Sequence, residues 1–325
     1  MAKAIRVHKT GGPEVLQWED VDAPEPGPNQ VRVRHTAVGL NFIDIYYRKG
    51  VYAAPQLPFT PGVEGAGVVE KAGAGVTEFK PGDRVAYPSS PLGAYSEMRV
   101  IAADRLVPIP TNVDDRTAAA MMLKGTTAQY LLRRTYRVQP GDTILFHAAA
   151  GGVGLIACQW AKQLGATVIG TVSSDAKATL AAAHGCDHPI VYTREDWVKR
   201  VRALTHGEGV PVVYDSVGKD TFMQSLDCLR PLGMMVSFGQ SSGVVPAFDI
   251  GMLSAKGSLF LTRPSSMTYL AKRQDLLTSA SELFDVVGRG QIRIEIKQTF
   301  ALKEAAAAQR ALEARQTTGS TVLLP

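Results

Sequence analysis

A glycine-rich turn near the middle of the chain constrains the fold more than any other feature. Residues 146–154 read FHAAAGGVG and join an apolar run at 143–147 to a helix-like stretch at 153–164. Gly165 ends that stretch, and a second apolar run follows at 167–172. Two strands, a helix and such a turn within about thirty residues are typical of a βαβ unit. The sequence therefore predicts a parallel sheet whose first turn approaches the pyrophosphate of a dinucleotide.

The turn departs from the usual Gly-x-Gly-x-x-Gly pattern at one position. Ala149 replaces the first glycine, while Gly151 and Gly154 hold the second and third places. Gly151 and Gly152 leave room for phosphate oxygens, and Gly154 lets the helix lie close to the strand. A tight strand-to-helix turn without any ligand stays open as the alternative. Because the flanking strands and helix follow the expected order, the sequence favours a bound dinucleotide.

The end of the second predicted strand indicates which dinucleotide binds. An NAD site usually offers an acid there, which binds the ribose 2′-hydroxyl. This strand instead ends at Ser173 and Ser174, and Lys177 follows one helical turn later. Hydroxyls can donate to a 2′-phosphate and an ammonium can neutralise it, which favours NADPH. Two alternatives remain: Asp175 could serve an NAD site, and Ser174 could simply cap the next helix, with Lys177 solvated.

Composition and charge restrict the class of protein. The 325 residues, 45% hydrophobic and 20% charged, suit one large or two ordinary globular domains. A net charge of +5 suits an anionic cofactor. No concentrated basic stripe with interleaved aromatics points to nucleic acid. No apolar run reaches membrane-spanning length, and the opening residues carry no signal-peptide pattern.

The three cysteines lie far apart in the sequence and fit no metal-ligand spacing. They are Cys158, Cys186 and Cys228, the first of them inside a predicted buried helix. We expect neither a disulfide framework nor a zinc cluster, and the pattern suits a reducing cytoplasm.

The order of predicted elements divides the chain into two domains. The first hundred residues alternate short apolar runs with Gly and Pro turns, which predicts a compact β-rich barrel. A helix at 117–134 leads to the glycine-rich turn, and strands and helices then alternate, which predicts a doubly wound sheet. The further predicted strands end at 191–192, 212–215 and 235–238, with helices near 176–183, 195–204 and 220–229. After about residue 262 we predict a helix at 267–287, a strand at 292–294, a helix at 303–314 and a strand at 320–324.

This tail is expected to return and complete the first domain. The predicted fold class is therefore α/β, with a β-rich barrel domain and a doubly wound parallel sheet domain. The predicted boundaries give a first domain of residues 1–122 completed by 263–325, and a second domain of residues 123–262.

Several sequence strings resemble those of a known family. They are NFID at 41–44, LKGTT at 123–127, the turn at 146–154, VYDSVG at 213–218 and FGQSSG at 238–243. Together they resemble the medium-chain dehydrogenase/reductase superfamily, and within it the quinone oxidoreductases of the zeta-crystallin type, along essentially the whole chain. The resemblance implies a GroES-like first domain, a Rossmann second domain, and a cytoplasmic NADPH:quinone reductase. It also implies a homodimer or homotetramer, with NADPH in the cleft between the domains.

The resemblance also indicates that no metal takes part. The zinc-using alcohol dehydrogenases of the superfamily place ligands where this chain has Asn41, Val63 and Lys124, and an amide, an alkyl group and an ammonium cannot hold Zn²⁺ together. Their four-cysteine lobe is also missing, because residues 87–105 contain no Cys. A quinone suits such a site, since it is strongly electrophilic and needs little beyond positioning. Glu64, next to Val63, is predicted to be a structural carboxylate.

The catalytic candidates come from one loop and the start of one helix. By resemblance, Asn41 and Tyr46 bond or orient the quinone and the nicotinamide, Asp44 and Thr127 help to fix that geometry, and Tyr52 is a further candidate. From the residues alone, Asn41 could be a helix N-cap and Asp44 a partner of the helix dipole, while the tyrosines could pack in the core. His147 is predicted to be a satisfied histidine at a strand end.

The predicted cofactor contacts lie at strand ends, at the start of the turn helix and in the returning tail. They are Asn41, Phe42, Tyr46, Thr127, Gly152, Val153, Ser173, Ser174, Lys177, Tyr192, Ser216, Val217, Phe238, Gly239, Gln240, Ser241, Pro264, Ser265 and Arg315. Tyr192 and Arg315 enter by resemblance, beside the adenine end and near the phosphate.

Two rival functions stay open. An NADPH-dependent reductase of activated C=C bonds, acting on enals or enones, would need a proton donor that Tyr46 or Tyr52 could supply. A structural or RNA-binding protein of crystallin type would keep NADPH but turn over slowly, and the charge pattern argues against the RNA.

Overall fold

A computed structural model describes residues 1–88 and 91–325 of the chain. These residues form two compact units, one of Met1–Thr126 with Leu270–Pro325 and the other of Thr127–Tyr269. The helices are α1 (Phe42–Lys49), α2 (Asp115–Tyr130), α3 (Gly152–Gln163), α4 (Asp175–Ala182), α5 (Trp197–Leu204), α6 (Phe222–Asp227), α7 (Gly251–Ala255), α8 (Ser266–Tyr269), α9 (Arg273–Gly288) and α10 (Ala305–Glu313). The strands are β1 (Ala2–Val7), β2 (Leu16–Val21), β3 (Gln30–Leu40), β4 (Gly65–Ala72), β5 (Arg84–Tyr87), β6 (Met98–Ala102), β7 (Val107–Pro108), β8 (Thr143–His147), β9 (Thr167–Val172), β10 (His188–Val191), β11 (Val210–Asp215), β12 (Leu229–Ser237), β13 (Phe260–Thr262), β14 (Ile296–Ala301) and β15 (Ser320–Leu324).

The first unit is built around the long strand β3. Its buried Val31 and Val33 alternate with Arg32 and Arg34, so one face of the strand enters the core. The sheet order is β14-β15-β3-β4-β5-β7, with β6 also paired to β3, and β1 and β2 form a separate antiparallel pair. Strand β15 of the tail pairs antiparallel with β3, so the tail adds a strand to the sheet of this unit.

The second unit is the predicted doubly wound sheet. Its strands are parallel and follow the order β10-β9-β8-β11-β12-β13. Leu145, Ile169 and Val213 are fully buried within it, as expected of strands covered on both faces. This is the 3-2-1-4-5-6 order of dinucleotide-binding domains, which bind ligands beyond the carboxyl ends of the strands, where the order reverses between β8 and β11.

The prediction of a single helix at 267–287 was wrong, because the helix is interrupted between Tyr269, where α8 ends, and Arg273, where α9 begins. Leu270 is buried, and the Arg105 guanidinium donates to the carbonyl oxygens of Leu270 and Ala271 at 3.4 and 3.1 Å. Lys272 then takes an extended conformation before α9 begins. Helix α8 therefore ends where backbone carbonyls accept hydrogen bonds from Arg105, a residue distant in the sequence. The local sequence contains no pattern that predicts this end.

The predicted strand at 292–294 was also wrong. The backbone N–H groups of Gln291 and Ile292 donate to the carbonyl of Val286 at 3.0 and 3.2 Å, and so close the end of α9. The strand of this region is β14, which begins at Ile296 and pairs in parallel with β15. Alternating apolar residues there reflect burial of Ile292 rather than a sheet.

Candidate functional site

The glycine-rich turn connects β8 to α3 as predicted. Ala148 takes the left-handed conformation with φ 56°, and Gly151 is the N-cap of α3 in an extended conformation. A Cβ on Gly154 would lie 2.4 Å from the carbonyl oxygen of Ala148, so only glycine allows this close approach. Gly152 and Val153 form the first turn of α3, whose N–H groups lack partners within the helix and attract anions.

Ala149 occupies the place of the first glycine because the neighbouring strand makes room for it. A Cβ on Gly170 of β9 would lie 2.6 Å from the Ala149 methyl group and 2.6 Å from the Cys186 sulfur. The methyl group of Ala149 therefore occupies the space that a side chain at position 170 would need, and position 170 is a glycine instead of position 149. Gly170 is a signal that a search for the usual glycine pattern overlooks.

The residues predicted to hold the 2′-phosphate follow β9, with Ser173 and Ser174 at its carboxyl end and Lys177 in the first turn of α4. Ser174 caps α4, and its Oγ accepts a hydrogen bond from the backbone N–H of Lys177 at 3.4 Å. Thr193 Oγ1 donates to the carbonyl of Ser173 at 3.3 Å. The capping role of Ser174 leaves its hydroxyl proton available to an anion. Tyr192 follows β10 directly, and its ring is partly exposed.

A buried carboxylate shapes the loop that follows β11. Asp215 accepts hydrogen bonds from the backbone N–H groups of Val217 and Gly218, at 2.7 and 3.0 Å, and from Thr221 Oγ1 at 2.7 Å. The loop holds Ser216 and Val217, both predicted cofactor contacts. Sequence reasoning missed this role of Asp215, although an acid at a strand end before Ser-Val-Gly is a usable signal.

Arg263 fixes the loop that follows β12. Its Nη1 donates to the carbonyls of Ser237 and Gly239, at 3.0 and 2.7 Å, and its Nη2 donates to Gln240 Oε1 at 3.1 Å. The N–H of Ser241 donates to the carbonyl of Ser216 at 3.1 Å, so the two loops meet. The structure therefore brings together the predicted contacts at 216–217 and at 238–241.

Thr127 lies beside an aromatic pair that the sequence did not single out. Its side chain hydrogen-bonds the hydroxyl of Tyr130, and burial raises the pKa of Tyr130 to about 12. The Tyr130 ring stacks on Tyr269, with centroids 4.5 Å apart. Ser265, predicted with Pro264 to contact the nicotinamide, accepts from the N–H of Met267 through its Oγ at 3.2 Å. The spacing of Thr127 and Tyr130, three residues apart on one helix face, is the signal that was missed.

The other candidates lie in the first unit, at the start of α1. Asn41 is buried at the N-cap, and its N–H donates to Asp44 Oδ2 at 2.8 Å. The rings of Tyr46 and Tyr52 meet edge to face at 5.3 Å, and Phe42 lies 6.4 Å from Tyr46. The four predicted catalytic residues therefore lie in or beside α1 as two contacting pairs, Asn41 with Asp44 and Tyr46 with Tyr52.

Asp44 is a buried carboxyl group. Its Oδ2 also accepts from the hydroxyl of Tyr95 at 2.9 Å, whereas no hydrogen-bond partner of Oδ1 is found in the described residues. Burial raises the pKa of Asp44 to about 7, against smaller opposing effects of the Asn41 N–H, of Tyr95 and of Lys124. Asp44 therefore exchanges a proton near neutral pH.

Glu64 is a structural carboxylate, as predicted. It is fully buried and accepts from Asn41 Nδ2 at 2.7 Å, from the N–H of Leu123 at 2.7 Å and from Lys124 Nζ at 2.9 Å. Asn41 and Lys124 stand where a zinc enzyme would have ligands, but both present N–H donors to Glu64. Over residues 1–88 and 91–325, no group of three or more His, Cys, Asp or Glu side chains is placed to hold a metal ion.

Two remaining candidates can be located. His147 is buried, with Nδ1 2.8 Å from Thr171 Oγ1 and Nε2 3.0 Å from Ser225 Oγ, so its polar atoms are satisfied as predicted. Arg315 is exposed in the first unit, just after α10, with φ 59°.

The three cysteines are free and buried. Within the part of the chain that the structure describes, no helix is both long enough and apolar enough to span a bilayer.

Comparison with known proteins gives matches along the full chain. Residues 27–111 match the alcohol dehydrogenase GroES-like domain, and residues 152–274 match the zinc-binding dehydrogenase family. A quinone oxidoreductase of Pseudomonas aeruginosa is 58% identical over 325 residues, covering all of both chains. A crystal structure of Escherichia coli quinone oxidoreductase complexed with NADPH superposes with a TM-score of 0.98 at 49% identity, again over all of both chains. A 2-haloacrylate reductase of a Burkholderia species is 48% identical over all of this chain and 99% of its own.

Proposed function

The chain belongs to the quinone oxidoreductase family of the medium-chain dehydrogenases/reductases, and from that premise we propose that it reduces quinones with NADPH and without a metal ion. The observation that carries the proposal is identity of 49–58% with named quinone oxidoreductases along the whole chain. The name of the matched zinc-binding family does not extend to this chain, because Asn41, Val63 and Lys124 cannot ligate zinc.

The second unit has the features that NADPH requires. The close backbone approach at Gly154 and the N-terminus of α3 suit a pyrophosphate. Ser173, Ser174 and Lys177 are proposed to hold the 2′-phosphate. Asp215 and Arg263 preorganise the loops proposed to hold the ribose groups, so little ordering is left for binding.

When bound, NADPH supplies the hydride. Asn41 and Tyr46 are proposed to orient the quinone and the nicotinamide ring, and the Glu64–Lys124 pair fixes the Asn41 amide. A two-electron reduction of a quinone takes up one hydride and one proton. Tyr46 and Tyr52 are proposed to donate hydrogen bonds to the quinone oxygen that gains negative charge.

The test follows the loss of NADPH absorbance with a benzoquinone or a naphthoquinone in the presence of a metal chelator. We expect turnover that needs a quinone, is unchanged by the chelator and is faster with NADPH than with NADH. Quinone-independent kinetics, or loss of activity on chelation that added zinc restores, would contradict the proposal.

Reduction of an activated C=C bond is the second candidate. The 2-haloacrylate reductase, similar along the full chain, is the observation that favours it. The same assay with an enone and with a 2-haloacrylate in place of the quinone separates the candidates. A kcat/KM for either of them above that of the quinones would make this the main activity.

We also propose that the protein forms homodimers in the cytoplasm. Strand β13 is the last strand of its sheet, and Phe260 and Leu261 on it are 56% and 38% exposed. An edge strand with exposed apolar side chains is suited to pair with a second copy. The free cysteines suit a reducing compartment.

A further inference from the structure

We infer that Arg194 determines the preference for NADPH by neutralising Asp175 beside the 2′-phosphate site. The inference rests on the proposed function, in that Ser173, Ser174 and Lys177 are taken to hold the 2′-phosphate. It adds Arg194, which was not among the predicted cofactor contacts, and it removes the conflict that Asp175 poses in a site for a phosphorylated cofactor.

Arg194 and Asp175 form a bidentate ion pair between two different elements. Arg194 Nη2 lies 2.6 Å from Asp175 Oδ1, and Arg194 Nη1 donates to Asp175 Oδ2 at 2.8 Å. Asp175 is the first residue of α4, whereas Arg194 lies in the turn after β10. Two parallel N–H···O bonds give this pair a defined geometry.

The pair lies at the proposed phosphate site. Thr193, next to Arg194, donates to the carbonyl of Ser173, and the N–H of Tyr192 donates to the carbonyl of Val172 at 3.1 Å. Asp175 directly follows the N-cap Ser174. The turn that carries Arg194 is thus tied to the serines that end β9.

Electrostatics gives the pair its role. A lone carboxylate at the end of the second strand selects a ribose 2′-hydroxyl and repels a 2′-phosphate. Pairing with a guanidinium cancels that charge. Because a guanidinium has five N–H donors, pairing with Asp175 and bonding a phosphate are compatible.

The pair is not needed to stabilise the fold. The side chains of Arg194 and Asp175 are 59% and 72% exposed. Ion pairs so exposed contribute little to folding. Variants at either position should therefore stay folded, and their effect on the cofactor can be measured directly.

The experiment measures dissociation constants of NADP⁺ and NAD⁺ by titration calorimetry for the wild type, R194Q, D175N and the double variant. R194Q should raise the dissociation constant of NADP⁺ about tenfold, as expected for the loss of one charge-assisted contact. The dissociation constant of NAD⁺ should change by no more than about twofold. The double variant should bind NADP⁺ more tightly than R194Q does, since no unpaired carboxylate remains. R289Q, which breaks the exposed Arg289–Asp285 pair of the first unit and changes net charge equally, should alter neither constant.

The inference would be overturned if R194Q lost affinity equally for NADP⁺ and NAD⁺, or lost none. It would also be overturned if the double variant bound NADP⁺ as weakly as R194Q does. Wild-type protein that binds NADP⁺ but reduces no quinone would instead refute the proposed function and leave this test intact. Wild-type protein that binds NAD⁺ at least as tightly as NADP⁺ would overturn both the NADPH preference and the inference.

Discussion

At the scale of single residues, Asn41 is the N-cap of α1, and its role toward the quinone and the nicotinamide stays a prediction. Its N–H completes the start of α1 with Asp44, while its amide Nδ2 is held by Glu64. The N-cap role uses the backbone N–H, so it does not exclude the role proposed for the side-chain amide. The sequence identifies Asn41, but Glu64 and Lys124 come together only through folding across 60 residues.

Removing one partner of the buried Glu64–Lys124 pair should destabilise the fold more than replacing both. In E64Q the Lys124 ammonium stays buried without its counter-charge, so the free energy of unfolding should fall by about 3 kcal/mol or more in urea titrations. The E64Q/K124M double variant should recover part of that loss. K199A, which removes an exposed pair with Asp196, should cost less than about 1 kcal/mol. Equal effects of E64Q and K199A would show that the buried pair contributes little.

Asp44 should make stability depend on pH in an unusual direction. Its pKa is about 7 in the folded protein against an ordinary value of 3.8. As pH rises between these values, the unfolded chain releases the proton and the folded chain keeps it, so stability falls. Denaturant titrations from about pH 4 to about pH 8 should show the wild type losing stability relative to D44N. Parallel curves for the two proteins would contradict the assignment.

At the scale of elements, regular segments were predictable and their junctions less so. Helix α3, the strands around it and β15 follow from apolar patterns and glycine, since local sequence dictates them. The break between α8 and α9 and the start of β14 depend on Arg105 and on the bonds that close α9, and both come from tertiary structure. The loops after β11 and β12 were located correctly, but their internal bonds to Asp215 and Arg263 were not foreseen.

The junction of β8 and α3 gives a prediction at this scale. In G154A the new Cβ would meet the Ala148 carbonyl at 2.4 Å and the Ala149 carbonyl at 2.7 Å, and backbone cannot yield cheaply. We expect α3 to shift, the free energy of unfolding to fall by about 1–3 kcal/mol, and NADP⁺ affinity to fall with it. Thermal unfolding and calorimetry test this. Wild-type affinity in G154A would remove the close approach from the binding argument.

At the scale of the whole molecule, the class of fold and the family were predicted from the sequence, and the homo-oligomer that the resemblance implies stays a prediction. Long strings such as VYDSVG identify the family, but an edge strand shows its exposed side chains only once the sheet order is known. Two positive charges introduced on β13 by the F260K/L261K double substitution should prevent this strand from pairing with a second copy. Light scattering should then report a monomer, against the dimer expected of the wild type, with V51K, at an exposed apolar residue of the first unit, as the unaffected control. A monomeric wild type would refute the dimer.

The late return of the tail has a consequence for synthesis on the ribosome. Strand β3 obtains its neighbour β15 from residues that are translated after the entire second unit, with Val38 opposite Leu323. The nucleotide-binding unit is contiguous and can fold while translation continues, but the β-rich unit must wait with the last residues of β3, Val38 to Leu40, unpaired on one side, since β6 pairs only with Gln30–Arg34. Nascent chains arrested before residue 320 should therefore protect the second unit from proteases and leave the first one open to cleavage.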